Sequence, residues 1–331
     1  MCTAITYRAK DHYFGRNLDL EHHYHEAVTI TPRNYPFRFR RAGELPHHYA
    51  IIGMAAAEDN YPLYYDATNE KGLSMAGLSF PGLAVYGEGS PEKDNITPYE
   101  LIPWVLGQCA NMEEAMTLLK RLTILGEPFS KTLPLSPLHW ILCDRNRCVT
   151  LEPFADGLRI WENPVGVLTN NPPFDYHMYK LTEYLNVTRE PAQNRFAKGI
   201  DLEPYSRGMG SIGIPGDLSS ASRFVRAVFT KMNSVSGHSE AESVSQFFHI
   251  LGSVAQQRGP VHIRGRLYEF TTYSSCCNTD LGIYYYKTYE NSQITAVELA
   301  RENLEGRKII SYPLLRQQQI RRQNQTGSTH P

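Results

Sequence analysis

The second residue of the chain is a cysteine, and removal of Met1 would place a thiol and a free α-amine on that one residue. A thiol with a pKa of about 8.5 and an α-amine of about 7.7 to 8.0 exchange a proton easily near neutrality. Cys2 alone could therefore supply both nucleophile and base. A cysteine can also follow an initiator methionine for no chemical reason. The segment Tyr13-Phe14-Gly15-Arg16-Asn17-Leu18-Asp19 bears on the choice, because it returns after a turn predicted at Asp11-His12. If the two segments pair as a hairpin, Arg16 can lower the thiol pKa and Asp19 can accept from the ammonium and orient it. The same two residues could equally form an ordinary ion pair on the surface of a hairpin.

Strands must carry these groups. Alternating apolar positions bounded by turn residues predict strands over Ala4–Tyr7, Tyr13–Arg16, Val28–Thr31, Ala50–Ala56, Leu63–Ala67 and Leu73–Leu78. Gly72 of Asn69-Glu70-Lys71-Gly72 is free to take a positive φ in the turn between the last two. A helix is expected with Thr97 as N-cap, Pro98 at its first position and Glu100 closing a capping box. Another runs from Asn111 to about Leu122. Further strands are expected over Leu138–Cys143, Cys148–Glu152, Leu158–Trp161 and Val165–Thr169, then a helix over Phe174–Leu185. The 3.6-residue period predicts helices over Ser222–Met232 and Glu240–Leu251, and strands over Glu269–Ser274, Gly282–Tyr289 and Ser292–Glu298 close the chain. Strand runs set apart from helix pairs give an α+β layered architecture. With no linker or repeat, residues 1–316 read as one domain and the polar stretch 317–331 as a frayed tail.

Composition excludes several function classes. Lys+Arg 33 against Asp+Glu 34 leaves a formal charge of −1, which argues against nucleic acid or an anionic membrane surface as partner. No apolar run approaches the roughly 18 residues of a membrane span, and no secretion signal opens the chain, so a cytoplasmic location is expected. Cysteines 2, 109, 143, 148, 276 and 277 lack the spacing of a zinc site and are expected as reduced thiols without disulfides. His22, His23 and His25 tempt a metal reading, but adjacent residues on a strand face opposite sides, so a solvated loop rim is preferred, as for His47-His48. Arg38, Arg40 and Arg41 read as a solvated strand face rather than an RNA contact. No metal or cofactor is called for.

Several blocks, in order, give the chain a strong resemblance to the choloylglycine hydrolase family. They are Met1-Cys2-Thr3, Phe14-Gly15-Arg16-Asn17-Leu18-Asp19, Asn69-Glu70-Lys71-Gly72-Leu73 with Met75-Ala76-Gly77-Leu78, and Pro134-Leu135-Ser136-Pro137-Leu138-His139-Trp140. Leu168-Thr169-Asn170-Asn171-Pro172 and Gly216-Asp217-Leu218-Ser219-Ser220 leading into Ser222-Arg223-Phe224-Val225-Arg226 complete the set. The resemblance runs end to end. It implies a four-layer αββα N-terminal-nucleophile hydrolase fold with two stacked antiparallel sheets.

Carried over residue by residue, the resemblance implies Cys2 as nucleophile with its amine as base, and Arg16 and Asp19 beside it. Asn170 resembles the side-chain amide donor of the oxyanion hole, and Arg223 a second guanidinium that holds the site together. Ser79 departs from the pattern, since bile salt hydrolases usually carry Asn there and penicillin acylases often Tyr. Its backbone N–H would still serve the oxyanion hole, so activity is expected to survive with an altered substrate preference. The implied substrate is a glycine- or taurine-conjugated bile salt, with Leu18, Phe129, Leu133 and Leu138 as candidates for the sterol pocket and a homotetramer as the assembly. The same chemistry on penicillin V or an N-acyl homoserine lactone is the nearest alternative. A silent binding protein that keeps the fold is the alternative from another class.

Overall fold

Nine consecutive residues, His12–Leu20, form a strand buried on both faces, and the period of two sorts their side chains. Tyr13, Asn17 and Asp19 face a helical layer, while Phe14, Arg16 and Leu18 face a second sheet. A strand in the middle of a layered molecule has no solvent face, which is why polar residues on it must find partners within the protein. The computed structural model describes residues 1–324 and contains two large antiparallel sheets of seven and eight strands.

The first sheet runs Val167–Leu168, Cys2–Arg8, His12–Leu20, Leu267–Asn278, Ile283–Thr288 and Thr295–Glu298, with Val261–Arg264 pairing to the long fourth strand. The second runs Gly157–Glu162, Cys148–Phe154, Leu138–Cys143, Ser74–Ser79, Tyr61–Asn69, Ile51–Glu58, Ala27–Thr31 and Ile310–Pro313. Helices Ser220–Asn233 and Glu240–Gly252 cover the first sheet, and Leu101–Gln108 and Met112–Leu119 cover the second. The result is the αββα order implied by the resemblance. Ile5, Phe14, Met54, Leu78, Ile141, Phe224 and Phe247 belong to one apolar cluster that fills the space between the sheets and under the first helix pair. Leu101, Val105 and Leu106 pack with Trp140, Leu142 and Leu151 on the far side of the second sheet. Each fully buried side chain of this size contributes about 1.5–3 kcal/mol.

Local chemistry fixes the ends of the helices that matter to the site. Ser219 caps Ser220–Asn233 by accepting from Ser222 N, and Asp217 accepts from Ser219 N and Ser222 Oγ, which lowers its pKa to about 2. Ser239 and Glu242 close a complete capping box on Glu240–Gly252. The box expected at Thr97 is only half made: Glu100 accepts from Thr97 N at 3.0 Å, but the helix begins at Leu101. Thr97 Oγ1 donates to that same carboxylate instead of capping the helix.

Other expectations are corrected in extent. The second helix stops at Leu119, because Leu122–Ile124 leaves it to pair in parallel with Asp94–Ile96. The strand expected over Val165–Thr169 shrinks to Val167–Leu168, since Gly166 turns the chain at φ +56° with Asn163 Oδ1 accepting from its N–H at 2.7 Å. The helix from Phe174 is α-helical to Lys180 and 3-10 over Leu181–Tyr184. Ile310–Pro313 and the small hairpin Phe37–Phe39 with Gly43–Leu45 are strands that periodicity does not reveal, being three or four residues long. Gly72 takes φ +87° as expected.

His48 is buried rather than solvated, its two ring nitrogens against Tyr49 O and Tyr35 O at 2.6 and 2.8 Å. His23 lies between Glu26 and Glu290 at 3.3 and 3.2 Å, and His22 is exposed. Arg38 is exposed beside Glu44, whereas Arg40 donates to the carbonyls of Pro128 and Phe129 and ties down that loop. All six cysteines are free thiols and five are buried. Residues 317–324 are exposed without regular structure, although Gln318 bonds Ser292; the rest of the expected tail, 325–331, lies outside the described residues. Among the described residues no helix is long and apolar enough to cross a membrane.

Candidate active site

Strand register brings Cys2 opposite Leu18 and Ala4 opposite Arg16, so the nucleophile candidate and the guanidinium share the face that looks onto the second sheet. Arg16 is fully buried and donates to Tyr65 O at 3.0 Å and Gly77 O at 2.6 Å, both in that sheet. Its Nη2 has no hydrogen-bond partner among the described residues. Burial alone would lower the pKa of Arg16, but Cys2, Tyr273, Asp66 and Asp19 outweigh it and hold the guanidinium above its ordinary value. A fixed positive charge thus faces the sulfur. Asp66 sits behind it, accepting from Tyr273 and Tyr284 hydroxyls at 2.7 and 2.6 Å and from Ser275 Oγ at 3.1 Å. Desolvation raises the Asp66 pKa despite those donors and Arg16.

On the opposite face of the same strand, Asp19 is fully buried and meets the helical layer. Thr271 Oγ1 donates to Oδ1 at 2.6 Å, Gln256 Nε2 donates to Oδ2 at 3.2 Å, and Arg223 Nη1 lies 3.9 Å from Oδ2. Arg223, one turn into its helix, donates to Cys2 O at 2.5 Å, Thr3 Oγ1 at 2.6 Å and Asn170 Oδ1 at 2.8 Å. Burial lowers its pKa, opposed by Asp19, Cys2 and Glu269. Arg16 and Asp19 are therefore no surface pair on a hairpin.

Asn170 joins the two sides. Its Oδ1 accepts from Cys2 N at 2.8 Å, and its Nδ2 donates to Ser79 O at 2.8 Å, leaving the second hydrogen of that amide. Met1 is held at the same place: its ammonium donates to Asp19 O at 2.7 Å and lies 2.9 Å from Glu269 Oε1, and its carbonyl accepts from Asp19 N at 2.9 Å. Cys2, Arg16, Asp19, Ser79, Asn170 and Arg223 thus form one cluster of contacts from five separated stretches of chain.

The four expected pocket residues divide. Leu18 is buried opposite Cys2, and Leu138 is half-buried opposite Ser79. Phe129 and Leu133 lie together on the loop before Leu138, with Phe129 edge-on to Tyr99 at 5.0 Å. A cleft of about 420 Å³ lined by His22, His23, Arg258, Phe270, Glu290 and Arg316 opens next to Leu20, which pairs with Phe270, but Cys2 is not among its walls. Thr271 and Glu269 escape a reading of the sequence because strand register brings them to Asp19 and Met1, and Gln256 because the loop after helix Glu240–Gly252 returns to bond Thr271. The block Ser219-Ser220 holds the only sequence signal for another, since Ser220 Oγ accepts from Asn170 N.

The family described as linear amide C–N hydrolases, choloylglycine hydrolase family, matches residues 2–312. This chain belongs to the choloylglycine hydrolase family. A choloylglycine hydrolase relative from Lactiplantibacillus plantarum, named a bile salt hydrolase/transferase, is 55% identical over 314 residues, 95% of this chain and 97% of that protein. A bile salt hydrolase/transferase of Clostridium perfringens is 36% identical over 94% of this chain and 96% of its own. The crystal structure of the C2A mutant of the C. perfringens conjugated bile acid hydrolase superposes with TM-score 0.91 at 35% identity, covering 98% of this chain and 100% of that one. Penicillin V acylase from Agrobacterium tumefaciens, at TM-score 0.74 and 16% identity, covering 94% of this chain and 90% of that one, shares the fold.

Proposed function

We propose that this choloylglycine hydrolase cleaves the amide bond of glycine- and taurine-conjugated bile salts, with Cys2 as nucleophile and its own α-amine as base. The observation that carries the reading is the convergence of Arg16, Asn170 and Arg223 on Cys2, in a chain 55% identical to a named bile salt hydrolase/transferase. Loss of Met1 turns the Cys2 nitrogen into a free amine within 2.8 Å of Asn170 Oδ1. The amine takes the thiol proton, and Arg16 stabilises the thiolate.

The thiolate attacks the amide carbonyl, and the second hydrogen of Asn170 Nδ2 with the Ser79 N–H receives the developing oxyanion. Donors so placed are worth about 3 to 4 kcal/mol each. The C–N bond breaks, the ammonium of Cys2 protonates the departing amine, and a thioester remains. Water then gives a proton to the Cys2 amine, attacks the thioester and breaks the C–S bond, releasing free bile acid and restoring the thiol. Leu18, Phe129, Leu133 and Leu138 supply the apolar wall for the sterol. An amine in place of water would return an amide, a second outcome favoured by the hydrolase/transferase names of the relatives.

Residues 1–316 act as one catalytic unit in this reading, located in the cytoplasm. Leu185, Phe196, Tyr205 and Ile212 are exposed along a stretch with little regular structure, a surface suited to a second copy of the chain within a homotetramer. Incubation with taurocholate, glycocholate and penicillin V, assayed by released amine, tests the substrate. Faster turnover of penicillin V by tenfold or more would replace bile salts as the substrate class.

A further inference from the structure

Thr169 and Asn170 follow the end of strand Val167–Leu168, and side chains from several elements place their backbone. Thr169 O accepts from His139 Nε2 at 3.0 Å, and Asn170 O accepts from His177 Nε2 at 2.8 Å. Asn170 N donates to Ser220 Oγ at 2.8 Å, which donates to Thr169 Oγ1 at 3.0 Å. The two histidines are not equivalent. His177 Nδ1 has no partner among the described residues, and burial lowers its pKa to about 4, so it is a neutral ring holding one carbonyl.

His139 is anchored at both ends. Its Nδ1 faces Glu152 Oε1 at 3.2 Å, and the Phe80 ring lies on it with centroids 4.3 Å apart and planes at 7°. Glu152 already accepts from Phe174 N on Oε1 and from Trp161 Nε1 on Oε2, each at 2.9 Å. A backbone carbonyl can only accept, so Nε2–H points at Thr169 O, with Nδ1 set against Glu152 Oε1 on the other side of the ring. Both residues are fully buried. Polar groups taken out of water at such cost hold one geometry strictly when every partner is present.

We propose that His139 and Glu152 are positioning residues for the oxyanion donor. Through Thr169 O the pair sets the seat of Asn170, and so the direction of its free amide hydrogen relative to Cys2 and Ser79. This rests on the reading of Asn170 as that donor. An error of about 1 Å in such a donor is enough to cost on the order of 10²-fold in rate.

The test uses the mature enzyme and glycocholate, with alkylation of the Cys2 thiol by iodoacetamide as a second readout, since alkylation needs an active thiol but no oxyanion hole. Glu152→Gln is expected to lower kcat about 10- to 100-fold with KM within about threefold and the alkylation rate within about twofold. Trp161→Phe, at a half-buried edge, removes only the indole donor to Glu152 and is expected to lower kcat about threefold with the same two quantities unchanged. It decides the matter if Glu152→Gln does not fold. Wild-type kcat in a folded variant, or kcat and alkylation falling together, overturns the proposal. Asn170→Ala separates the two layers: slow Asn170→Ala beside wild-type Glu152→Gln removes the positioning role alone, whereas Asn170→Ala at wild-type kcat removes the oxyanion reading itself.

Discussion

Cys2 is the residue on which the chemistry converges, and its replacement gives the sharpest outcome. Cys2→Ala removes a sulfur at a strand end whose backbone bonds to Asn170 and Arg223 persist, so the fold should stay while turnover drops by at least about 10³-fold. Circular dichroism and the amine-release assay on one sample check both halves. Asp19 differs because its carboxylate is held by Thr271 and Gln256 on the helical side. Asp19→Asn should lower kcat by about 10²-fold with KM within threefold, since orientation rather than binding is lost; a raised KM at unchanged kcat would contradict this. Ser79→Asn should shift the ratio of taurine to glycine conjugate turnover by more than about twofold while kcat for the better substrate holds. The six clustered residues were legible because motifs carry them. Thr271, Gln256, Glu152 and His177 were not, because nothing local marks a hydroxyl, amide, carboxylate or imidazole that becomes useful only when distant strands, a helix and a loop come together.

Elements were legible where their period is long and their faces differ. The two helices that cover the first sheet are found within two residues at each end, and the strand His12–Leu20 is recognised over Tyr13–Arg16 but not over its full length. Its remainder carries Asn17 and Asp19, polar residues that defeat an apolar alternation because both of its faces are buried. Close packing of that strand yields a prediction of its own. A Cβ on Gly15 would lie 2.1 Å from Ser275 O and 2.6 Å from Ser275 C, backbone atoms of the paired strand that cannot turn aside. Gly15→Ala should destabilise by more than about 3 kcal/mol, measured by denaturant melting, and a loss under 1 kcal/mol would mean the strands can part. Short edges such as Ile310–Pro313 carry too few residues for any period.

Two buried imidazoles give the whole molecule an acid weakness. Desolvation lowers His12 and His177 to about 4 from an ordinary 6.5. The unfolded chain therefore takes up protons that the folded chain refuses, and the stability they contribute is complete above about pH 6.5 and lost as pH falls toward 4. At about 1.4 kcal/mol per pKa unit, urea melts at pH 4.5 should give several kcal/mol less than at pH 7; equal values would show the rings protonate within the fold. Assembly belongs to this scale as well: Phe196→Ser with Leu185→Ser should shift light-scattering mass downward if that exposed stretch meets another copy. Arg16 and Asp66 have a further bearing on how the protein comes apart. The guanidinium of one sheet is bound to carbonyls of the other, and the carboxylate of the second is bound to phenols of the first. Sliding or prying the halves open would strand opposite charges on bare apolar surfaces, so no half-melted species has a foothold, and near- and far-ultraviolet signals should vanish at one temperature.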